Sequence, residues 1–291
     1  MFIATLIAAD GLTGSEVSAA RERLADSGCA PGAPIWLDDG FAADLPFDAD
    51  PALARAALEG AFAADVVVQP KVGREKRLLV ADMDSTMITV ECIDELADYA
   101  GLKPEIAEVT ERAMRGELEF EAALDARVAL LKGLSADVID RCLAERVRIM
   151  PGAQALVRTM RARGARCVLV SGGFTRFAEP VAREIGFDRA VANELLIADG
   201  ALTGAVRKPI VGADAKLATL RAEAAALGIG LEQTLAVGDG ANDLPMVQAA
   251  GLGVAYRAKP IVAAAAGARV ERGDLTALLW AQGMPRGEWV I

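Results

Sequence analysis

The stretch Leu78-Leu79-Val80-Ala81-Asp82-Met83-Asp84-Ser85-Thr86 decides how the rest of the chain is read. A short apolar strand ends abruptly in two carboxylates one residue apart, and two hydroxyls follow. Folding alone asks for nothing of the kind. At the carboxyl end of a parallel strand, this run places polar groups in the crevice where open α/β sheets bind ligands. Two carboxylates within reach of one site suit a divalent cation, a carboxylate nucleophile, or a nucleophile with an acid/base partner. Taken alone, Asp-x-Asp is equally well an acidic turn. The loops further along the chain decide between the two.

With 291 residues the chain can form one large or two ordinary domains, each with a real core. Its 31 basic residues face 41 acidic ones, a net charge of -10. No basic field exists to replace phosphate counterions, which argues against a nucleic-acid partner. A small anionic substrate stays open, because local cations, a bound metal and backbone amides can make a positive pocket on an acidic protein. Histidine is absent. That removes Ser-His-Asp and Cys-His catalysis, phosphohistidine chemistry and His-ligated metal sites. Acid/base work falls to carboxylates, Lys, Tyr or Cys. Cys29, Cys92, Cys142 and Cys167 lie far apart with no Cys-x-x-Cys pair, so buried free thiols in a reducing compartment are expected. Apolar runs such as Phe2 to Ala9 stop well short of a membrane span. That run also lacks a basic flank and a cleavage-like site, so it reads as a strand rather than a signal peptide. A cytoplasmic location, away from membranes, is the expectation.

Three regions emerge along the chain. Residues 1–70 predict strand (2–8), helix (15–27), two weak extended pieces (34–37 and 40–45), helix (51–62) and strand (65–69). This β-α-β-β-α-β order suggests a small ferredoxin-like α+β unit. Residues 71–77, dense in Lys and Arg with one Gly, read as a linker. From 91 to about 148 the pattern is continuously helical, punctuated at Gly101-Leu102-Lys103-Pro104, Gly116 and Lys132-Gly133. After Met150-Pro151-Gly152 short apolar strands return at 166–170, 190–192, 234–237 and 252–255, with helices between. Within that half, 195–203 reads as a hairpin turning at Asp199-Gly200. The reading is α/β: a doubly wound parallel sheet, Rossmann-like, with a helical insertion after its first strand.

Each later strand ends in polar chemistry. After 167–170 come Ser171-Gly172-Gly173, a hydroxyl and two glycines whose backbone N–H groups can close on an oxyanion at a helix start. The same tripeptide is common as an ordinary turn and cap. After 234–237 comes Gly238-Asp239-Gly240-Ala241-Asn242-Asp243, two carboxylates and an amide in a Gly-rich loop at a helix N-terminus. An Asp-capped turn needs only one of them. Clustered oxygen donors without His or Cys fit magnesium. Lys216, near the start of a helix, is by itself an ordinary surface lysine.

Taken together, Asp82-x-Asp84-Ser85-Thr86, Ser171, Lys216 and Gly238-Asp239-x-x-Asn242-Asp243, in this order, resemble the haloacid dehalogenase superfamily of phosphotransferases. The resemblance extends to the phosphoserine phosphatase family. It is carried by Asp82 through Asp94, by Met114-Arg115-Gly116-Glu117-Leu118-Glu119-Phe120, by Arg127-Val128 with Lys132-Gly133, by Ser171-Gly172-Gly173-Phe174, and by Gly238 through Asp243. It covers about 78 to 279 and does not clearly include 1–77. What it implies is a catalytic core over 78–90 and 149–291, a helical-bundle cap over 91–148, and a variable ferredoxin-like (ACT-like) regulatory or dimerisation domain over 1–70. A homodimer through that domain or amino-acid sensing by it is one reading; a plain packing role is the other.

The resemblance also implies a mechanism. Asp82 would be the nucleophile and form an aspartyl-phosphate. Asp84 would be the general acid/base, held protonated by a raised pKa. Magnesium would bind the Asp82 carboxylate, the Asp84 carbonyl and Asp239, with Asp243 helping through water or by positioning. Ser171, the Gly172 amide, Lys216 and Asn242 would hold the phosphoryl oxygens. Glu91 and Arg127 fall where the family pairs the substrate's ammonium and carboxylate, and Arg offers a bidentate fork. Without the flanking motif, both read as residues on solvated helix faces. Met114 and Phe120 resemble residues that shield the site from water; alone they could be bundle core. The implied activity is hydrolysis of O-phospho-L-serine, ending serine biosynthesis. Another small phosphomonoester is the alternative substrate, and an inactive amino-acid-binding regulator is the alternative class. The intact Asp82, Asp84, Ser171, Lys216 and Asp239 set argues against the regulator. Lys259-Pro260 also looks family-like and receives no role.

Overall fold

A computed structural model describes residues 1–114 and 117–291, with only the backbone of Met114. The chain opens with β1 (Phe2–Ile7), α1 (Gly14–Asp26), β2 (Ala30–Pro31), β3 (Ile35–Asp38), β4 (Ala42–Asp48), α2 (Pro51–Leu58) and β5 (Asp65–Pro70). Helix α1 begins where Thr13 and Glu16 cap each other's backbone N–H groups. The sheet runs β2-β4-β1-β5 with β3 also on β4, and its pairings are antiparallel. This is the expected ferredoxin-like order, except that the short β2 is an addition. One face carries Ala4, Leu6, Leu45 and Val66 against the helices, in a cluster with Val17, Leu24 and Leu58.

The second sheet has six strands in the order β13-β12-β11-β6-β7-β8, every pair parallel. Its first strand is β6 (Leu78–Ala81), and four helices follow: α3 (Cys92–Ala100), α4 (Lys103–Met114), α5 (Phe120–Leu130) and α6 (Asp137–Glu145). The chain continues through α7 (Ala153–Ala162), β7 (Arg166–Phe174), α8 (Thr175–Ile185) and β8 (Arg189–Asn193) to a hairpin of β9 (Leu195–Ala198) and β10 (Ala201–Val206). It ends with α9 (Ala213–Ala226), β11 (Thr234–Gly238), α10 (Leu244–Ala249), β12 (Leu252–Tyr256), α11 (Pro260–Ala265), β13 (Ala268–Val270) and α12 (Ala277–Ala281). Because β7 and β8 lie to one side of β6 while β11, β12 and β13 lie to the other, connections leave β6 and β11 in opposite directions. The crevice between their carboxyl ends is the natural ligand position. Strand β6 is covered on both faces: Leu78 and Val80 pack with Leu220 and Met246, Leu79 and Ala81 with the opposite core.

The sequence did not signal β13, three residues at the sheet edge. A second difference concerns Ser171-Gly172-Gly173, expected at a helix start. They are the end of β7, which runs to Phe174 through a register irregularity against β8, and α8 begins only at Thr175. The hairpin turns as expected, with positive φ at both Asp199 (50°) and Gly200 (77°).

Two antiparallel connectors carry the chain into and out of α3–α6, joined by Ile88 opposite Ile149, Thr89 N–H to Arg148 O (3.0 Å) and Met150 N–H to Met87 O (2.9 Å). The β9–β10 hairpin braces these helices: Gly133 N–H donates to Leu202 O, and Leu202 N–H to Leu134 O. Gly204 has φ +82°, and a Cβ there would lie 2.9 Å from Lys132 Cβ and 3.3 Å from Ala129 O, so the end of α5 and the turn after it approach the hairpin as only glycine permits.

The 71–77 stretch is not a loose linker. Arg74 pairs with the buried Asp44 at 2.6 Å, and buried Lys76 donates to Gly73 O and Glu232 O. The open face of the first sheet is closed by the chain's own C-terminal segment. Gln69 donates to Ala281 O, Phe41 stacks on Trp280, and Ile7, Ala42 and Val67 share the main core. All four cysteines are buried and free, as expected. Among the described residues no helix is long and apolar enough to cross a membrane.

Candidate active site

The polar strand ends meet at the switch point. Asp82 follows β6 directly, and its N–H donates to Val237 O of β11 (3.0 Å), locking the two strand ends together. Asp239 and Asp243 follow β11. One carboxylate oxygen from each of Asp82, Asp239 and Asp243 lies within 4.8 Å of the others. Gly238 is required here, because a Cβ would meet Asp243 Cγ at 2.3 Å. The Gly240 N–H fixes Asp243 Oδ2 at 3.0 Å, and Thr86 Oγ1 donates to Asp239 Oδ1 at 3.3 Å.

Lys216, the ordinary surface lysine of the sequence, is fully buried. Its Nζ donates to Asp82 Oδ1 and to Asp243 Oδ1, each at 2.6 Å. Burial disfavours its charge, but the Asp243 and Asp82 carboxylates outweigh burial and raise its pKa. The ammonium is therefore permanent. The acids are less well compensated. Burial, then the Asp243 charge, pushes Asp82 well above the usual carboxylate range against the pull of Lys216. Asp239 is pushed up to about 6 by burial, then by Asp243 and Glu91. Among the described residues Asp82 and Asp243 share the Lys216 ammonium, and Asp239 adds a third carboxylate that the Lys259 charge only partly offsets. Such an excess of buried negative charge, offered by oxygen ligands alone, is the donor set of a hard divalent cation, and the cluster could hold a metal ion.

Asp84 stands apart from that cluster. Its Oδ1 is buried and has no hydrogen-bond partner among the described residues. Burial, then the Glu91 charge, pushes its carboxyl up to about 7, while hydrogen bonds from Cys92 pull the other way. It can therefore carry a proton near neutral pH and give it up. Beside it, Gly173 N–H donates to Ser171 Oγ at 2.8 Å. A Cβ on Gly173 would stand 3.0 Å from both Asp84 Oδ2 and Ser171 Oγ. Phe120 reaches over from the first turn of α5, its ring 3.0 Å from a Cβ built on Gly172 and 3.2 Å from one on Gly212. The Asn242 amide borders the same Gly172 position at 3.6 Å.

Glu91 is the exposed N-cap residue of α3, and Ser85, in the left-handed region at φ +56°, donates to its Oε1 at 2.6 Å. Arg127 is half-buried on α5. Its Nε donates to Ala123 O at 3.3 Å; burial lowers its pKa, and the charges of Asp94, Glu91 and Asp84 oppose that. The structure thus brings Asp82, Asp84, Ser171, Gly172, Lys216, Asp239, Asn242, Asp243, Glu91, Phe120 and Arg127 to one place. The Met114 side chain, with Arg115 and Gly116, lies outside the described residues. Sequence reading missed Asn193, a buried amide behind Gly172, and gave Asp94 no part. An Asn at a strand end and an Asp in a helix carry no distinguishing pattern.

The family model of haloacid dehalogenase-like hydrolases matches residues 79–248, and the chain belongs to that family. Within it, the similarity is to phosphoserine phosphatases. The phosphoserine phosphatase SerB2 of Mycobacterium tuberculosis is 50% identical over 215 residues, 74% of this chain. That match spans only 52% of the mycobacterial protein's own length. The phosphoserine phosphatase of Streptococcus thermophilus is 48% identical over 69% of this chain and 93% of that one. Among solved structures, a probable phosphoserine phosphatase from Vibrio cholerae, in unliganded form, superposes with a TM-score of 0.78 at 34% identity. It covers 99% of this chain and 87% of its own.

Proposed function

We propose that this chain is a magnesium-dependent phosphoserine phosphatase, hydrolysing O-phospho-L-serine to L-serine and phosphate as the closing step of serine synthesis in the cytoplasm. The observation that carries the reading is the fully buried Lys216 ammonium between Asp82 and Asp243 at the switch point. A cation with no exposure, aimed at a strand-end carboxylate, lets that carboxylate approach a phosphate dianion.

In this reading an Asp82 oxygen attacks phosphorus in line, the P–O bond to the seryl oxygen breaks, and the departing oxygen takes the proton of Asp84. The raised pKa of Asp84 supports that role. Asp84, now a carboxylate, takes a proton from water, whose oxygen attacks phosphorus and frees Asp82 and phosphate. Ser171, the Gly172 N–H, Lys216 and Asn242 hold the phosphoryl oxygens. A magnesium ion, held by the Asp82 carboxylate, the Asp84 carbonyl and Asp239 with Asp243 helping through water or by positioning, would neutralise charge between nucleophile and phosphate. Glu91 takes the substrate ammonium and Arg127 its carboxylate, while Phe120, lying over Gly172 and Gly212, keeps water out.

The division of labour follows: 78–90 and 149–291 as catalytic core, 91–148 as cap, 71–77 as connector and 1–70 as the regulatory or dimerising unit. Since the open sheet face of 1–70 is covered from within the chain, a dimer would form through α1 and α2 or the β2/β3 edge. The test is phosphate release from L-phosphoserine, phosphothreonine, a sugar phosphate and an aryl phosphate, with and without magnesium. Magnesium-dependent preference for phosphoserine is expected. Preference for the sugar phosphate would overturn the substrate, and silence throughout would overturn the enzyme.

A further inference from the structure

Asn193 ends β8, is 2% exposed, and its side-chain hydrogen bonds go to backbone groups rather than to any reacting side chain named above. Its side chain nevertheless spans two of the segments that bear them. Asn193 Nδ2 donates to Gly172 O at 2.9 Å and to Val211 O at 3.4 Å, and its Oδ1 accepts the Val211 N–H at 2.8 Å. On one side it holds the carbonyl of the Gly172–Gly173 peptide. The N–H of that same peptide donates to Ser171 Oγ at 2.8 Å, so the peptide plane is pinned at both ends. A Ser171 oxygen that already accepts from Gly173 has its own proton left to point at an incoming oxyanion.

On the other side, the amide pairs with both backbone groups of Val211, the residue before Gly212. Gly212 is the N-cap of α9, and its carbonyl accepts the Lys216 N–H at 3.0 Å. Position along that first turn decides where the Lys216 ammonium arrives. The two segments clamped by Asn193 also present the two glycines under Phe120, Gly172 and Gly212. A buried amide must be satisfied somewhere. Here its partners are the backbones of two anion-facing segments rather than its own strand or helix.

Resting on the phosphatase reading above, we propose that Asn193 is a positioning residue. It sets the Ser171–Gly173 strand end and the start of the Lys216 helix at the separation that a phosphoryl group requires.

The test compares Asn193→Asp with wild type and with Gln282→Ala, which removes another buried amide whose partners, Lys76 N–H, Met160 Sδ and Leu278 O, belong to none of the loops of the site. Asn193→Asp keeps the acceptor for Val211 N–H but turns a carboxylate oxygen toward Gly172 O. Inorganic phosphate is titrated calorimetrically into each magnesium-loaded protein, and amide exchange is followed at Gly173 and, as a mid-strand reference, Val168. In Asn193→Asp, phosphate affinity is expected to fall about tenfold and Gly173 exchange to quicken about tenfold, with Val168 unchanged. Gln282→Ala should lower the denaturation midpoint and leave phosphate affinity as it was. Unchanged affinity in Asn193→Asp, or an equal loss in Gln282→Ala, would overturn the proposal. If Asn193→Asp does not fold, Asn193→Ser takes its place, and failure of both to fold would make Asn193 a structural residue and overturn it too. A wild type that binds phosphate but leaves phosphoserine intact would sink the substrate assignment and keep the Asn193 comparison readable.

Discussion

Asp65 in the first sheet and Asp82 in the second are both buried aspartates at strand ends, each 5% exposed. Their surroundings are opposite. Asp65 is surrounded by donors: Glu271 N–H at 2.9 Å, Arg272 N–H at 3.2 Å and Gly273 N–H at 2.8 Å. It ties β5 to the end of β13, and its charge is spent on fixed backbone dipoles. Asp82 shares one ammonium with Asp243 while Asp239 adds a third charge, and its own pKa is driven up. Burial does not mark the functional carboxylate. Imbalance does: a structural acid is saturated by donors that never leave, and a working acid is left short of them until metal and substrate arrive.

The contrast can be broken by substitution. The largest effect is expected from Asp82→Asn, which should cut phosphoserine turnover about ten-thousand-fold or more. Its denaturation midpoint should not fall, because Lys216 keeps Asp243 and one uncompensated carboxylate is gone. A turnover loss accompanied by unfolding would place Asp82 with Asp65. Asp65→Ala should do the reverse. Three backbone N–H groups lose their acceptor, at a cost of about 3 kcal/mol in chemical denaturation, while turnover of the folded fraction stays within about twofold of wild type. A specific collapse of turnover there would erase the distinction.

Metal sharpens the same point. Magnesium at about a hundred times its dissociation constant should stabilise the apoprotein by about 2.7 kcal/mol, and Asp239→Asn should abolish most of that shift. The smallest effect concerns the substrate's tail. Arg127→Ala should raise KM for phosphoserine about thirtyfold and leave an aryl phosphate within about twofold, the difference being one charge-assisted fork. Equal losses on both substrates would make Arg127 structural.

How much of this was legible in the sequence depended on whether chemistry and periodicity pointed the same way. The strand ends at Asp82 and Asp239, the Asp199-Gly200 hairpin and the first sheet's element order were all readable, because apolar runs end in residues that folding does not need. Lys216 was not. The buried face of α9 consists of Lys216, Leu220, Glu223 and Ala224. Two of these four are charged, so a hydrophobic stripe cannot reveal which side is inside. Glu223 is buried because Arg166 and Arg189 meet it at 2.6 and 2.8 Å, partners supplied by distant strands. Lys76 hides in a basic stretch for the same reason, since its two carbonyl acceptors are known only once the chain has folded. Ser171–Gly173 looked like a helix start because two glycines interrupt the apolar run, yet strand pairing resumes at Phe174 opposite Asn193. Strand β13, Ala268–Val270, is too short to carry alternation.

The most direct test of the account is chemical trapping at Asp82 during turnover. Borohydride added to the enzyme working on O-phospho-L-serine with magnesium reduces an acyl phosphate to the alcohol, and peptide mass mapping locates it. The account expects homoserine at position 82 and none at 65, 84, 239 or 243. Steady phosphate release with an unreduced Asp82 would contradict it.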